Sequence, residues 1–328
     1  MTNVKRSYAV VGVGGVGGYY GGRLALAGKD VRFLLHSDYE YVARHGLTVK
    51  SSDGDFALPH AQAYRSPEAI GPVDVILVCL KTTNEPLLKS LLPPMLKHGT
   101  TVVLIQNGVG VEAAVEQMVP GVRLVGGLAF IGSAKVGPGT IHHQFFGSLN
   151  LAPYNVGDDE ATSIADDMKE AGIAAKVMGY DEARWKKALW NMPFNGLSVA
   201  LDCQTDTLMD GSCLKLVTAL MGEVTGAAAA LGVKRVDAAY AERLLEMTAK
   251  MPPYSPSMRL DFEARRPMEI GYMYDTPIDM AQAAGFEMRN MKFLADILRA
   301  KEEMARRRLF SNNDPTVSAD RFPNLLTG

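Results

Sequence analysis

One junction near the N-terminus constrains this chain more than any other. The apolar run Ser7–Val11 (SYAVV) passes directly into Gly12-Val13-Gly14-Gly15-Val16-Gly17, and the segment Gly17–Gly28 that follows reads as a helix. A strand, a G-x-G-x-x-G turn and a helix in that order form a phosphate cradle. Gly12 permits the tight turn, Gly14 lets the backbone approach a pyrophosphate, and Gly17 lets the helix pack on the strand. The helix N-terminus then offers free N–H groups and a partial positive charge. With 32 glycines in the chain the pattern alone is weak, so the flanking strand and helix carry the reading.

The rest of the first half supports it. Asp30–Leu35, Val73–Leu80 and Thr100–Ile105 are short apolar, β-rich runs separated by helical stretches. Continuous apolar strands between helices predict a parallel sheet covered on both faces. Leu124–Ile131, Gly139–Phe145 and Ser148–Pro153 lack long helices between them and predict an antiparallel extension. After about Gly179 strand signals vanish. Helices are predicted over Glu182–Ala200, Ser212–Leu231, Val236–Met251, Ser257–Ala264, Tyr274–Ala284 and Glu287–Arg308, and the polar tail Asn312–Gly328 is expected at the surface or poorly ordered. The expected fold is an α/β Rossmann-type N-terminal domain, residues 1–178, with a second, all-helical C-terminal domain, residues 179–328.

Composition narrows the function. The 328 residues suit about two domains, and 34 Lys+Arg against 36 Asp+Glu leave no basic field for nucleic acid or an anionic bilayer. The N-terminal run is too glycine-rich for a signal peptide, and no other window of about 18 apolar residues predicts a membrane span. Cys79, Cys203 and Cys213 are too scattered for a disulfide framework or a metal cluster, which favours a reducing, cytoplasmic setting and no metal.

The end of the second strand selects the cofactor. An Asp or Glu there would bind the ribose 2′-hydroxyl of NAD. This chain has Leu35-His36-Ser37, with no carboxylate before Asp38. His36 and Ser37 can donate hydrogen bonds to a 2′-phosphate, with Arg32 close in sequence, so the reading points to NADP. Ligands of open α/β sheets bind beyond the carboxyl ends of the strands. Lys81 follows the strand at 73–80 and Asn107 follows the one at 100–105, so both face that crevice.

In Trp185–Asn195 (WKKALWNMPFN), Lys187, Asn191 and Asn195 recur every fourth residue and form one polar stripe on a core-seeking helix interrupted by Pro193. Such a stripe suits a polar pocket, although exposed or satisfied amides would give the same spacing. A lysine in an enclosed site can act as a general acid. Ser257, otherwise a helix N-cap, and Glu269, between Met268 and Ile270, are candidates to meet it.

Together these segments resemble the ketopantoate reductase (2-dehydropantoate 2-reductase) family. The resemblance covers roughly residues 7–305 and rests on GVGGVG at 12–17, VCLK at 78–81, QNGVG at 106–110, WKKALWNMPFN at 185–195 and PSMRLDFEARRPMEIGY at 256–272. It implies a Rossmann domain and a helical domain with the active site between them. It also implies NADPH-dependent reduction of 2-dehydropantoate to (R)-pantoate, toward pantothenate and coenzyme A. By resemblance Lys187 is the general acid and Glu269 holds that lysine or a substrate hydroxyl. Ser257 and Asn107 seat the carboxylate, and Asn191 and Asn195 bind the distal polar end. Gly12, Val13, Gly14, Gly15, Val16, Gly17, His36, Ser37, Lys81, Asn107 and Glu269 form the cofactor set. Many members carry Arg where this chain has His36. Two alternatives are a reductase of another branched 2-keto acid and a catalytically silent NADP-binding sensor. The expected partners are a small 2-keto acid and a second copy in a homodimer, without nucleic acid or membrane.

Overall fold

A computed structural model describes residues 6–311, with side chains to residue 307; the tail from Asn312 onward lies outside the described residues. The chain packs as two compact units. The first runs to Ala188 and takes in Gly232–Val236, and the second comprises Leu189–Leu231 and the chain from Asp237 onward.

The first unit holds β1 (Ser7–Val11), α1 (Gly15–Leu26), β2 (Asp30–Leu34), α2 (Tyr39–His45), β3 (Leu47–Ser51), β4 (Phe56–Leu58), β5 (Gln62–Tyr64), α3 (Pro67–Ile70), β6 (Val75–Val78), α4 (Leu88–Leu91), β7 (Thr101–Leu104), α5 (Val111–Met118), β8 (Arg123–Gly137), β9 (Thr140–Pro153), α6 (Asp158–Glu170) and β10 (Ala175–Val177). They form one 10-stranded sheet in the order β4-β3-β9-β8-β7-β6-β1-β2-β5, with β10 on β9. From β8 through β5 every neighbour is parallel. Residues of β1, β6 and β7 are buried throughout, as strands covered on both faces require.

The antiparallel extension differs from expectation. Two long strands, β8 and β9, replace the three short ones. Phe146 (φ +63°) and Gly147 (φ +117°) bulge the middle of β9 and break its pattern without ending it. At the amino end of β1, Asp167 of α6 accepts from Tyr8 Oη at 2.5 Å, Arg6 Nη1 at 2.9 Å and Lys29 Nζ at 2.5 Å. Burial works against ionising this carboxyl, but these donors prevail and hold it below the usual range.

The sheet unit is completed by the start of α7 (Tyr180–Ala200), a helix that continues through Pro193. The sequence changes character near residue 179, but the packing boundary falls after Ala188. The reason is that Ala183, Arg184 and Lys187 still contact the sheet unit. Lys187 therefore belongs to the unit that holds the sheet.

The second unit is helical. After α7 come α8 (Thr205–Leu208), α9 (Gly211–Ala230), α10 (Ala238–Ala249), α11 (Ser257–Glu263), a π-helical turn (Gly271–Asp275), α12 (Thr276–Ala283) and α13 (Arg289–Ser311). Trp190 stacks on Phe194 with ring centroids 4.8 Å apart and donates from Nε1 to Thr248 Oγ1 at 2.9 Å. Helix α9 corrects one expectation. An 18-residue window of this 20-residue helix reaches a mean hydropathy of 1.3, enough by length and composition to span a bilayer, and 33% of that window is buried. Alanines, leucines and valines raise the average there, with Lys215 and Glu223 interrupting the run.

Candidate active site

The carboxyl ends of β1, β2, β6 and β7 lie side by side on one edge of the sheet. They place the 12–17 turn, His36-Ser37, Lys81 and Asn107 along that edge.

Each glycine of the turn has a distinct physical reason. Gly12 sits at φ +94°, where a Cβ would lie 2.6 Å from Leu80 N. A Cβ on Gly17 would lie 2.2 Å from Gly12 O, so this glycine lets helix meet turn. Gly15 faces β8: its Cβ would lie 2.4 Å from Ser133 O, and its carbonyl accepts from Ser133 Oγ at 2.9 Å. Gly14 differs, because a Cβ there would meet nothing within 4 Å. It is the N-cap of α1, which has neither a side-chain cap nor an acidic residue in its first turn. A helix start with uncapped N–H groups and a bare backbone beside open space fits a pyrophosphate.

His36 and Ser37 are exposed, while Asp38 is 8% exposed and already engaged. It accepts from Lys135 Nζ at 2.9 Å and Gly139 N at 3.2 Å. Burial opposes its ionisation, but Lys135 and Gly139 hold its carboxyl below the usual range. Arg32 does not join His36, because its guanidinium is bound to Ile70 O at 2.8 Å and Asp30 at 2.9 Å. Two cations on neighbouring elements carried no signal in the sequence. Lys135 arrives on the β8–β9 hairpin. Arg65 follows β5, the neighbour of β2, pairs with Glu40 and lies 4.6 Å over the Tyr39 ring.

Lys187 donates from Nζ to Ala129 O on β8 at 2.7 Å. One turn earlier, Arg184 is 1% exposed and pairs with Glu112 of α5, which is fully buried. Its Nη1 donates to Gln106 O at 2.6 Å and Gly108 O at 3.2 Å, so the two carbonyls flanking Asn107 share one guanidinium. Tyr180 donates to the other Glu112 oxygen at 2.6 Å. This network was also missed. Its one visible signal is the pair Gly126-Gly127, since a Cβ on Gly126 would lie 2.9 Å from Glu112 Oε1.

Asn191, Asn195, Ser257 and Glu269 belong to the second unit. There Asn195, 2% exposed, accepts through Oδ1 from Met258 N at 3.0 Å and Ser257 Oγ at 3.4 Å. Its Nδ2 donates to Asn191 O at 3.0 Å. Asn195 therefore caps α11, and Ser257 is the first residue of that helix rather than its cap. Glu269 is 5% exposed and immediately precedes the Ile270 that leads into the π-helical turn, a feature frequent at functional sites.

Comparisons with known proteins agree with this layout. A family model described as "Ketopantoate reductase PanE/ApbA" matches residues 8–155, and its C-terminal counterpart matches residues 180–302. A 2-dehydropantoate 2-reductase of Nostoc sp. is 42% identical over 298 residues, covering 88% of this chain and 93% of that protein. The crystal structure of 2-dehydropantoate 2-reductase from Geobacter metallireducens superposes with a TM-score of 0.87 at 37% identity, covering 90% of this chain and 99% of the other. That from Methylococcus capsulatus gives 0.83 at 32% identity, covering 91% and 97%. With both halves of the chain matched and the strand-end residues assembled on one edge of the sheet, this chain belongs to the ketopantoate reductase family.

Proposed function

We propose that this chain reduces 2-dehydropantoate to (R)-pantoate with NADPH, and that Lys187 is its general acid. The observation that carries the reading is that one compact unit holds the 12–17 turn, Lys81, Asn107 and the Lys187 ammonium. The bound dinucleotide supplies the hydride. The protein orients the ketone and supplies the proton. Lys187 Nζ, aimed through its bond to Ala129 O, gives its proton to the oxygen at C2 as that oxygen becomes an alkoxide. Asn107 and Ser257 seat the substrate carboxylate, Asn191 holds the distal polar end, and Asn195 acts there by holding the first turn of α11. Glu269 holds Lys187 or a substrate hydroxyl. Family membership supports these roles.

His36 and Ser37, exposed at the end of β2, support NADPH over NADH, since the neighbouring Asp38 carboxylate is bound to Lys135. Residues 1–178 serve the dinucleotide and 179–328 the substrate, with Lys187 packing on the former. A cytoplasmic location, in keeping with three free cysteines, and a homodimer belong to the same reading.

The test is turnover of 2-dehydropantoate and a panel of branched 2-keto acids with NADPH and NADH, repeated for Lys187→Ala. The expected result is the highest kcat/KM on 2-dehydropantoate with NADPH, and a ~10²–10⁴-fold lower kcat in the variant. Better turnover of another keto acid would reassign the substrate, and NADPH binding without turnover would make the chain a sensor.

A further inference from the structure

We infer that Arg184 is a positioning residue that holds the Asn107 loop and the start of α7 at one fixed separation, and so sets where Asn107 stands relative to Lys187. This rests on the reading of Lys187 as general acid. One guanidinium reaches three carbonyls of the strand-end segment, Gln106 at 2.6 Å, Gly108 at 3.2 Å and Leu104 at 3.4 Å. Asn107 lies between two of them. The loop has little stiffness of its own, because Gly108 (φ +100°) and Gly110 (φ +84°) both adopt left-handed conformations. On α7, Arg184 and Lys187 are three residues apart and share a face. Lys187 is in turn fixed to Ala129 O at 2.7 Å. The same side chain therefore governs both ends of the Asn107–Lys187 spacing.

Stability does not account for this arrangement. A buried ion pair gives little net stability, and apolar replacements are often neutral. Here the pair is completed by Tyr180 on Glu112 and accommodated by Gly126, which leaves no room for a side chain of its own. A planar, forked cation suits several carbonyls held at set angles, whereas a lysine presents a single ammonium.

The experiment compares wild type, Lys187→Ala, Arg184→Lys and Glu112→Gln. The readouts are thermal melting, NADPH affinity by fluorescence titration, kcat, KM for 2-dehydropantoate and the pH profile of kcat. Arg184→Lys keeps the charge toward Glu112 but cannot hold both carbonyls beside Asn107. It is expected to melt within a few degrees of wild type and to bind NADPH within about threefold. Its kcat should fall about 10²-fold, the scale of an ångström-sized misplacement. The pH limb lost in Lys187→Ala should be displaced rather than abolished. Glu112→Gln leaves the Arg184 charge without its counter-ion and should lower the melting temperature, but it keeps an acceptor for Arg184 and should retain most of kcat. If Lys187→Ala retains turnover, the general-acid reading fails. If Lys187→Ala is impaired while folded Arg184→Lys keeps kcat within threefold, the positioning role fails and the general-acid reading stands. Should Arg184→Lys not fold, Glu112→Gln decides: a kcat within about threefold of wild type with an unshifted pH limb despite lower melting supports the geometric role, and a kcat loss that tracks melting overturns it.

Discussion

Gly14→Ala separates the two jobs a glycine-rich turn can do. In the protein alone the change is close to neutral. Gly14 has φ −94° and ψ −155°, extended backbone that an L-residue adopts, and the added Cβ meets nothing within 4 Å. Restricting the unfolded chain stabilises by about 0.4–1 kcal/mol. Alanine is a poorer N-cap than glycine and loses a comparable ~0.5–1 kcal/mol. The two offset, so the melting temperature should move by no more than about 2–4 °C. Dinucleotide binding should respond differently. The methyl would occupy the space a pyrophosphate needs to reach the N–H groups at the start of α1. Losing one charge-assisted hydrogen bond removes about 1.5–3 kcal/mol, which is a ~10–150-fold weaker Kd. Differential scanning fluorimetry and NADPH titration on the same preparation measure both. Gly17→Ala is the contrasting control, since its Cβ would lie 2.2 Å from Gly12 O and should destabilise the fold itself. A Gly14→Ala protein that melts normally and binds NADPH within twofold of wild type would refute the pyrophosphate seat. One that melts far below wild type would refute the claim that its Cβ is unopposed.

Two further outcomes are expected. His36→Asp should lower kcat/KM for NADPH relative to NADH by at least tenfold, because it puts an unbalanced carboxylate at the end of β2; an unchanged ratio would show that this loop does not read the 2′-phosphate. His143, fully buried in β9 with Ser51 Oγ 2.9 Å from its Nδ1 and Phe146 O 3.1 Å from its Nε2, is held below the usual imidazole range chiefly by burial. Folding disfavours its protonated form, so its contribution is present above about pH 6.5 and is lost as the pH falls toward the lowered folded value. Urea midpoints of wild type should therefore drop between pH 7.5 and 5.5 more steeply than those of His143→Gln, and parallel slopes would contradict this.

What the sequence disclosed follows from burial. Strands β1, β6 and β7 were legible because they are covered on both faces and must be apolar throughout. Strands β4 and β5 are three residues long and only partly buried, so Phe56–Leu58 and Gln62–Tyr64 carry too little pattern to register. Arg65 was overlooked with them. The 12–17 turn was legible in outline, yet the reason for Gly15 lies 118 residues away, at Ser133. The spacing of Lys187, Asn191 and Asn195 was visible as a helical stripe. What that spacing could not carry was the change of packing partner between the first residue and the other two. Arg184 and Glu112 stayed hidden for the same reason: each looks like an ordinary surface charge until the fold brings their 72-residue separation to contact.

The packing boundary after Ala188 has a consequence for lesions elsewhere. A change that loosens only the downstream helices, for example at Met221 or Leu298 in their interior, leaves the ammonium tethered to Ala129. On the proposed roles, such a protein would keep Lys187 beside the dinucleotide turn and would chiefly lose the substrate contacts of Asn191 and Ser257. On that reading, damage to that half weakens saturation by substrate before it abolishes turnover.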